Sequence, residues 1–288
     1  MNSNLDSLET AHKRLVNHLK NKGRAQATIL AYRKDIEQLV AFLKDKGISQ
    51  TTSVTSDHIE EFKKSLMEKK YTAKSVSRKL NAIKTFFKFL EEEGVLLLNP
   101  ATAVAHPKYK IKAPRILSQM EYRAIRDAAR EDTRISTIIE LLLQTGMRIG
   151  ELARLETGDA NEKTLTIRGY ESHKQRDIPL NRSARKALEA YLETRPKVRT
   201  RSLFVTKNGR PFLVRNIRSA IERYFRIAGL ENAKVNDLRH TFIAHQLGAG
   251  NSVVLIQKLV GHKRLSTTER YLEFVESTSS EEVKIKEL

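Results

Sequence analysis

The chain has 288 residues, enough for one large domain or two modest ones, and 40% of them are hydrophobic, which supports a core. It carries 53 Lys and Arg against 34 Asp and Glu, and a formal net charge of +19 points to a polyanionic partner such as nucleic acid. The lack of cysteine excludes disulfides and thiolate metal sites, and no run of 18 apolar residues offers a membrane span. Met1-Asn2-Ser3-Asn4 opens no signal peptide, so the expected chain is soluble and cytoplasmic, with no membrane partner.

In chain order, Leu5 to Lys46 reads as two amphipathic helices broken at Asn21-Lys22-Gly23. Ser56-Asp57 caps a third helix running to about Lys69. Thr72 or Ser75 starts a fourth, with Val76, Leu80, Ile83, Phe86, Phe87 and Leu90 on its buried face, and Gly94 and Asn99-Pro100 end it. Residues 1–104 therefore read as a helical domain. Residues 105–116 carry Lys108, Lys110, Lys112 and Arg115, with Pro107 and Pro114, and read as a basic extended linker. Residues 117–288 form the second domain. Ser118 caps its first helix with Glu121 at the capping-box position. Arg134 to Gln144 is an apolar helix stopped by Gly146, and the next opens near Ile149. Thr164–Arg168 and Arg176–Leu180 read as short strands joined by 169–174, and Leu203-Phe204-Val205 as a strand end. Helices follow at Arg182–Glu193, Val214–Ala228 and Asp237–Leu247, and the tail after Glu276 is polar. Ser266 or Thr267 can cap a further helix that places Tyr271 in its first turns.

Three short stretches carry chemistry: Thr145-Gly146-Met147-Arg148-Ile149-Gly150-Glu151-Leu152, then Asn236-Asp237-Leu238-Arg239-His240, then Gly261-His262 with Tyr271 nine positions beyond His262. Taken singly, each has a bland reading. Arg148 can pair with Glu151 or Asp159 on the surface, Arg239 can cap a helix, and His262 and His240 can be satisfied core histidines. Together, in this order, they resemble the tyrosine recombinases, or phage integrase family, and look most like the compact Xer-type and transposon-borne members. The resemblance covers nearly the whole chain. It implies a mainly α fold with a small sheet: a helical core-binding domain followed by a mixed α/β catalytic domain.

The resemblance also implies a chemistry. Cutting a phosphodiester without metal needs a nucleophile, positive charge on the non-bridging oxygens and a proton for the leaving oxygen. Tyr271 is the implied nucleophile, Arg148 and Arg239 the phosphate clamp, and His262 a hydrogen-bond partner of the phosphate. The implied product is a 3′-phosphotyrosine with a free 5′-hydroxyl, which allows rejoining without ATP. The sequence shows no phosphate-cradling glycine loop, EF-hand or HExxH motif, so no cofactor is expected. Two positions depart from the family pattern. Asn236 stands where the family usually has His, and it can donate to phosphate but cannot act as a base. Glu171 occupies the usual place of a catalytic lysine, and Lys174 in the same segment is the candidate general acid.

The function expected is site-specific recombination of double-stranded DNA through a Holliday junction, by a homotetramer on two synapsed sites, with accessory proteins as possible partners. A tail at Ser277–Leu288 docking on a neighbouring protomer belongs to the same expectation. The alternatives are a type IB topoisomerase-like nicking-closing enzyme and a DNA-binding protein that has lost cleavage.

Overall fold

The computed structural model describes residues 7–110, 112–170 and 173–275. It is mainly helical with a single two-stranded sheet among the described residues, and it divides into two compact units, Met1–Lys112 and Ala113–Leu288. The expected linker, 105–116, straddles that division. Among the described residues no helix is long and apolar enough to cross a membrane.

The first unit holds α1 (Leu8–Asn21), α2 (Gln26–Lys44), α3 (Ser56–Glu68) and α4 (Ala73–Glu92). Ser7 caps α1 by accepting from the Thr10 amide, and Thr72 caps α4 by accepting from the Ser75 amide. Helix α3 is capped by Thr55, one residue earlier than the sequence suggests. Apolar side chains at three- and four-residue spacing put Leu39, Leu43, Phe62, Leu80, Phe86 and Phe87 into one core. Ala101 and Val104 close that core from beyond α4. Buried Asp35 of α2 is neutralised by Lys79 of α4 at 2.9 Å and by the Arg78 guanidinium.

The second unit holds α5 (Gln119–Ala128), α6 (Thr133–Thr145), α7 (Ile149–Leu152), β1 (Thr164–Ile167), β2 (Arg176–Pro179), α8 (Arg182–Thr194), α9 (Val214–Ile227), α10 (Val235–Gly248), α11 (Val253–Val260) and α12 (Ser266–Glu269). Ser118 and Glu121 do form the capping box of α5. Helix α6 is the apolar centre, burying Ile135, Ile138, Ile139 and Leu142, and it packs against α8 and α10. Strands β1 and β2 pair antiparallel with Leu165 opposite Ile178, both buried in the same core. Leu203–Val205 is not a strand. Val205 makes only an isolated bridge to Pro211, and the Val205 carbonyl is taken by the Arg134 side chain. Tyr271 also sits differently from expectation. Helix α12 spans only Ser266–Glu269, and Tyr271 lies beyond it in the turn before a 3₁₀ segment at Leu272–Phe274. Four helical residues are too few for a periodicity to announce. The tail at Ser277–Leu288 lies outside the described residues.

Two helices end at glycines with left-handed backbone: α6 at Gly146 (φ +60°) and α11 at Gly261 (φ +66°). The carbonyls around these ends are the seats of the site.

Candidate active site

A helix C-terminus leaves its last carbonyls without intrahelical partners and carries a partial negative charge. Here guanidinium groups fill both needs. Arg239, in the second turn of α10, donates from Nη1 to the Gly146 carbonyl at 2.5 Å and from Nη2 to the Val260 carbonyl at 2.8 Å. Arg148, at the cap of α7, donates from Nη2 to the Gly261 carbonyl at 2.9 Å. Arg176, the first residue of β2, donates from Nε to the Leu259 carbonyl at 2.7 Å. Three cations from three elements thus converge on the end of α11.

Glu151 holds two of them in register. Its carboxylate accepts from Arg176 Nη1 and Nη2 at 3.1 and 2.7 Å, from Arg148 Nη1 at 3.0 Å, and from the Arg148 amide at 2.8 Å. Burial would raise the Glu151 pKa, but the hydrogen bonds from Arg176 and Arg148 outweigh it and bring it to about 2. The Arg148–Glu151 pair considered as a bland surface contact therefore exists, and it orients Arg148. Three guanidiniums against one carboxylate leave the site positive. Burial, with Arg148 close by, pulls Arg239 below the ordinary guanidinium range, yet it stays a cation at neutral pH.

Arg148 and Arg239 open onto a cleft of about 410 Å³ that Asn236, Glu151 and His173 also line. Arg154 stacks on the Tyr170 ring at 3.3 Å on the cleft wall, and Arg168 and Arg218 add charge there. Arg168 is itself tied to Asp159 and Glu156.

His262 follows Gly261. Its amide donates to the Gln257 carbonyl at 3.1 Å, and its Nδ1 lies 2.8 Å from the hydroxyl of buried Thr268. Burial first, then Arg239, Arg148 and Arg176, push the imidazole down to about 3, so it is neutral at physiological pH. Tyr271 is 8% exposed and belongs to one buried cluster with Phe242, Ile243, Leu247, Ile256 and Val260. Its ring stacks near His262, with centroids 6.4 Å apart and planes at 22°, and meets His240 at 6.0 Å. Burial raises the phenol pKa, while Arg239 and Arg270 oppose that rise.

The structure thus gathers Arg148, Arg239, His262 and Tyr271 around the ends of α6 and α11, with Asn236 on the rim. Lys174 is exposed and is not among the described residues lining the cleft. Glu171 lies outside the described residues. Sequence reasoning missed the roles of Arg176 and Thr268. An arginine opening a strand with buried alternate positions was the available signal for Arg176. Nothing marked Thr268 beyond its place between His262 and Tyr271. Among the described residues no group of three or more His, Asp or Glu side chains is placed to hold a metal ion.

Residues 115–277 match the model of the phage integrase family. The chain belongs to that family. Residues 13–94 match the N-terminal SAM-like domain of phage integrases. The tyrosine recombinase XerC of Thermodesulfovibrio yellowstonii is 33% identical to this recombinase over 89% of each chain. The crystal structure of XerA recombinase is similar at 27% identity, with a TM-score of 0.53, over 92% of this chain and 93% of that one. A lambda integrase tetramer bound to a Holliday junction shares the fold at 20% identity, with a TM-score of 0.73, over 92% of this chain and 80% of that one. The recombinase is of the tyrosine type and Xer-like, and its activity is site-specific recombination.

Proposed function

We propose that this recombinase cuts and rejoins double-stranded DNA at specific core sites through a 3′-phosphotyrosine at Tyr271 and a Holliday junction. It does so in the cytoplasm as a homotetramer on two synapsed sites. The observation that carries the reading is the placement of buried Tyr271 against His262 and Arg239, beside the carbonyls that hold Arg148 and Arg176. Arg148 and Arg239 already spend some donors on backbone carbonyls, so their forks are fixed before DNA arrives. Their remaining N–H groups clamp the non-bridging oxygens, where charge builds as the phosphorus becomes five-coordinate. Neutral His262, steadied by Thr268, hydrogen-bonds a phosphate oxygen through its other ring nitrogen. Asn236 adds a neutral donor at the rim. Phosphate charge near the buried phenol adds no help to ionisation, so Arg239 first and then Arg270 are the groups that favour the phenolate.

The test uses a duplex nicked beside the scissile phosphate, which traps the covalent intermediate. Wild type is expected to form a phosphotyrosine adduct and Tyr271→Phe none, with DNA binding retained because only a hydroxyl is removed. An adduct on the Phe variant would mean that another tyrosine, such as Tyr224, is the nucleophile. Strand exchange between two sites then separates recombination from simple nicking and closing.

A further inference from the structure

The leaving 5′-oxygen must take a proton, and the cleft offers few groups able to give one. Among the described residues lining it, the arginines hold their protons too tightly. Glu151 is an ionised acceptor, locked between Arg148 and Arg176. The Tyr170 ring lies under the Arg154 guanidinium. His173 is the only imidazole in that lining, and among these side chains its ordinary pKa lies nearest neutrality.

His173 is also held in place. It stands on the flank of the β1–β2 connection, where its amide donates to the Tyr170 carbonyl and its carbonyl accepts from the Tyr170 amide, both at 3.0 Å. Three residues later Arg176 is anchored to Leu259 and Glu151. Next to His173, Lys174 is exposed.

We infer that His173 is the general acid of strand cleavage, a role that rests on the recombinase reading above. As the Tyr271 Oη–P bond forms and the P–O5′ bond breaks, the phenolic proton passes to water. The His173 imidazolium gives its proton to O5′ and becomes neutral. Rejoining runs the same transfers backwards, with neutral His173 as the base for the attacking 5′-hydroxyl. The groups acting on His173 are Arg148 and Glu151 from the cap and helix α7, Arg176 from β2, and Lys263 beyond α11. Burial and Arg148 hold the imidazole below its ordinary value, with Glu151 opposing them. A phosphodiester entering between Arg148 and His173 offsets the guanidinium charge and favours the imidazolium.

Sulfur in place of the bridging 5′-oxygen makes a leaving group that needs no proton. On ordinary nicked duplex, His173→Ala is expected to slow covalent complex formation by about 100-fold or more, the usual range for losing an acid catalyst. On the 5′-phosphorothiolate duplex it is expected to match wild type within a few-fold, whereas Arg148→Ala stays slow on both. The rate of wild type on ordinary DNA should fall as pH rises through the imidazole range, and that fall should vanish with the sulfur substrate. His173→Gln carries the same test if Ala disturbs the turn. Slow cleavage by both His173 variants on both substrates overturns the inference. Relief of Lys174→Ala instead of His173→Ala overturns it in favour of the lysine. Failure of wild type to form an adduct on either substrate counts against the recombinase reading, not against the choice of acid.

Discussion

Glu151 shows at residue scale why one carboxylate belongs in a site built to bind an anion. Without it, Arg148 and Arg176 would repel each other across the end of α11, and each would keep only its backbone-carbonyl contacts there. Glu151→Gln keeps the shape but turns a carboxylate oxygen into an amide that faces N–H groups. Removing one partner of a buried ion pair typically costs about 3 kcal/mol or more. The expected result is a lower unfolding midpoint in urea together with slower cleavage, because Arg148 loses its orientation. The pH dependence gives a second check. The folded Glu151 pKa lies at about 2 against an ordinary 4.5. Its ionisation therefore contributes stability that is fully present above about pH 4.5 and is lost as pH falls toward 2. The stability gap between wild type and Glu151→Gln should narrow over that window. A constant gap would mean that the ion pair is not what Glu151 contributes.

At the scale of elements, the site depends on how two helices stop. An added Cβ at Gly146 would lie 2.3 Å from Phe242 Cδ1, and the residue already sits at φ +60°. Left-handed backbone costs an L-residue about 1–2 kcal/mol before any clash. The Gly146 carbonyl is also the seat of Arg239, so a shifted turn moves a catalytic cation. Gly146→Ala is expected to lose about 2 kcal/mol or more and to reduce cleavage further than its stability predicts. Gly158→Ala, where nothing lies within 4 Å and φ is ordinary, is the control. Equal effects of the two changes on cleavage would remove the helix-end argument. Much of this element-level design was legible. Gly146 read as a helix stop, Ser118–Glu121 as a cap, and the arginines stood inside recognisable boxes. What the sequence hid was tertiary. Glu151 sits within a box, but Arg176, its main partner, comes from a strand 25 residues away, and only the fold joins them. Likewise Leu203–Val205 has the composition of a strand but finds no partner strand, because Tyr191 and Arg134 side chains take its backbone groups instead. Tyr271 was misplaced for a third reason: the helix before it is a single turn.

For the molecule as a whole, the net excess of 19 positive charges already counts the acids that pair internally, so what matters is where the unpaired cations lie. Glu151 offsets one charge of the Arg148, Arg176 and Arg239 cluster, and Asp35 one of the two on Lys79 and Arg78. The exposed lysines and arginines, including Lys108, Lys110 and Lys112 at the end of the first unit, remain available for phosphates. Each phosphate neutralised releases counterions, so log affinity should fall linearly with log salt, at a slope near −0.9 per contact. With six or more contacts the loss between about 50 and 200 mM salt is about 1000-fold or more. The catalytic step on bound DNA should change far less, because its charges are preorganised and partly or fully buried and so are screened less. Measuring binding and single-turnover cleavage over the same salt series separates the two. Steep binding with flat single-turnover rates is the expected pattern. A shallow slope would mean that the surface charge is not the DNA clamp, and a cleavage rate that falls as steeply as binding would mean that Arg148 and Arg239 work as screened surface charges.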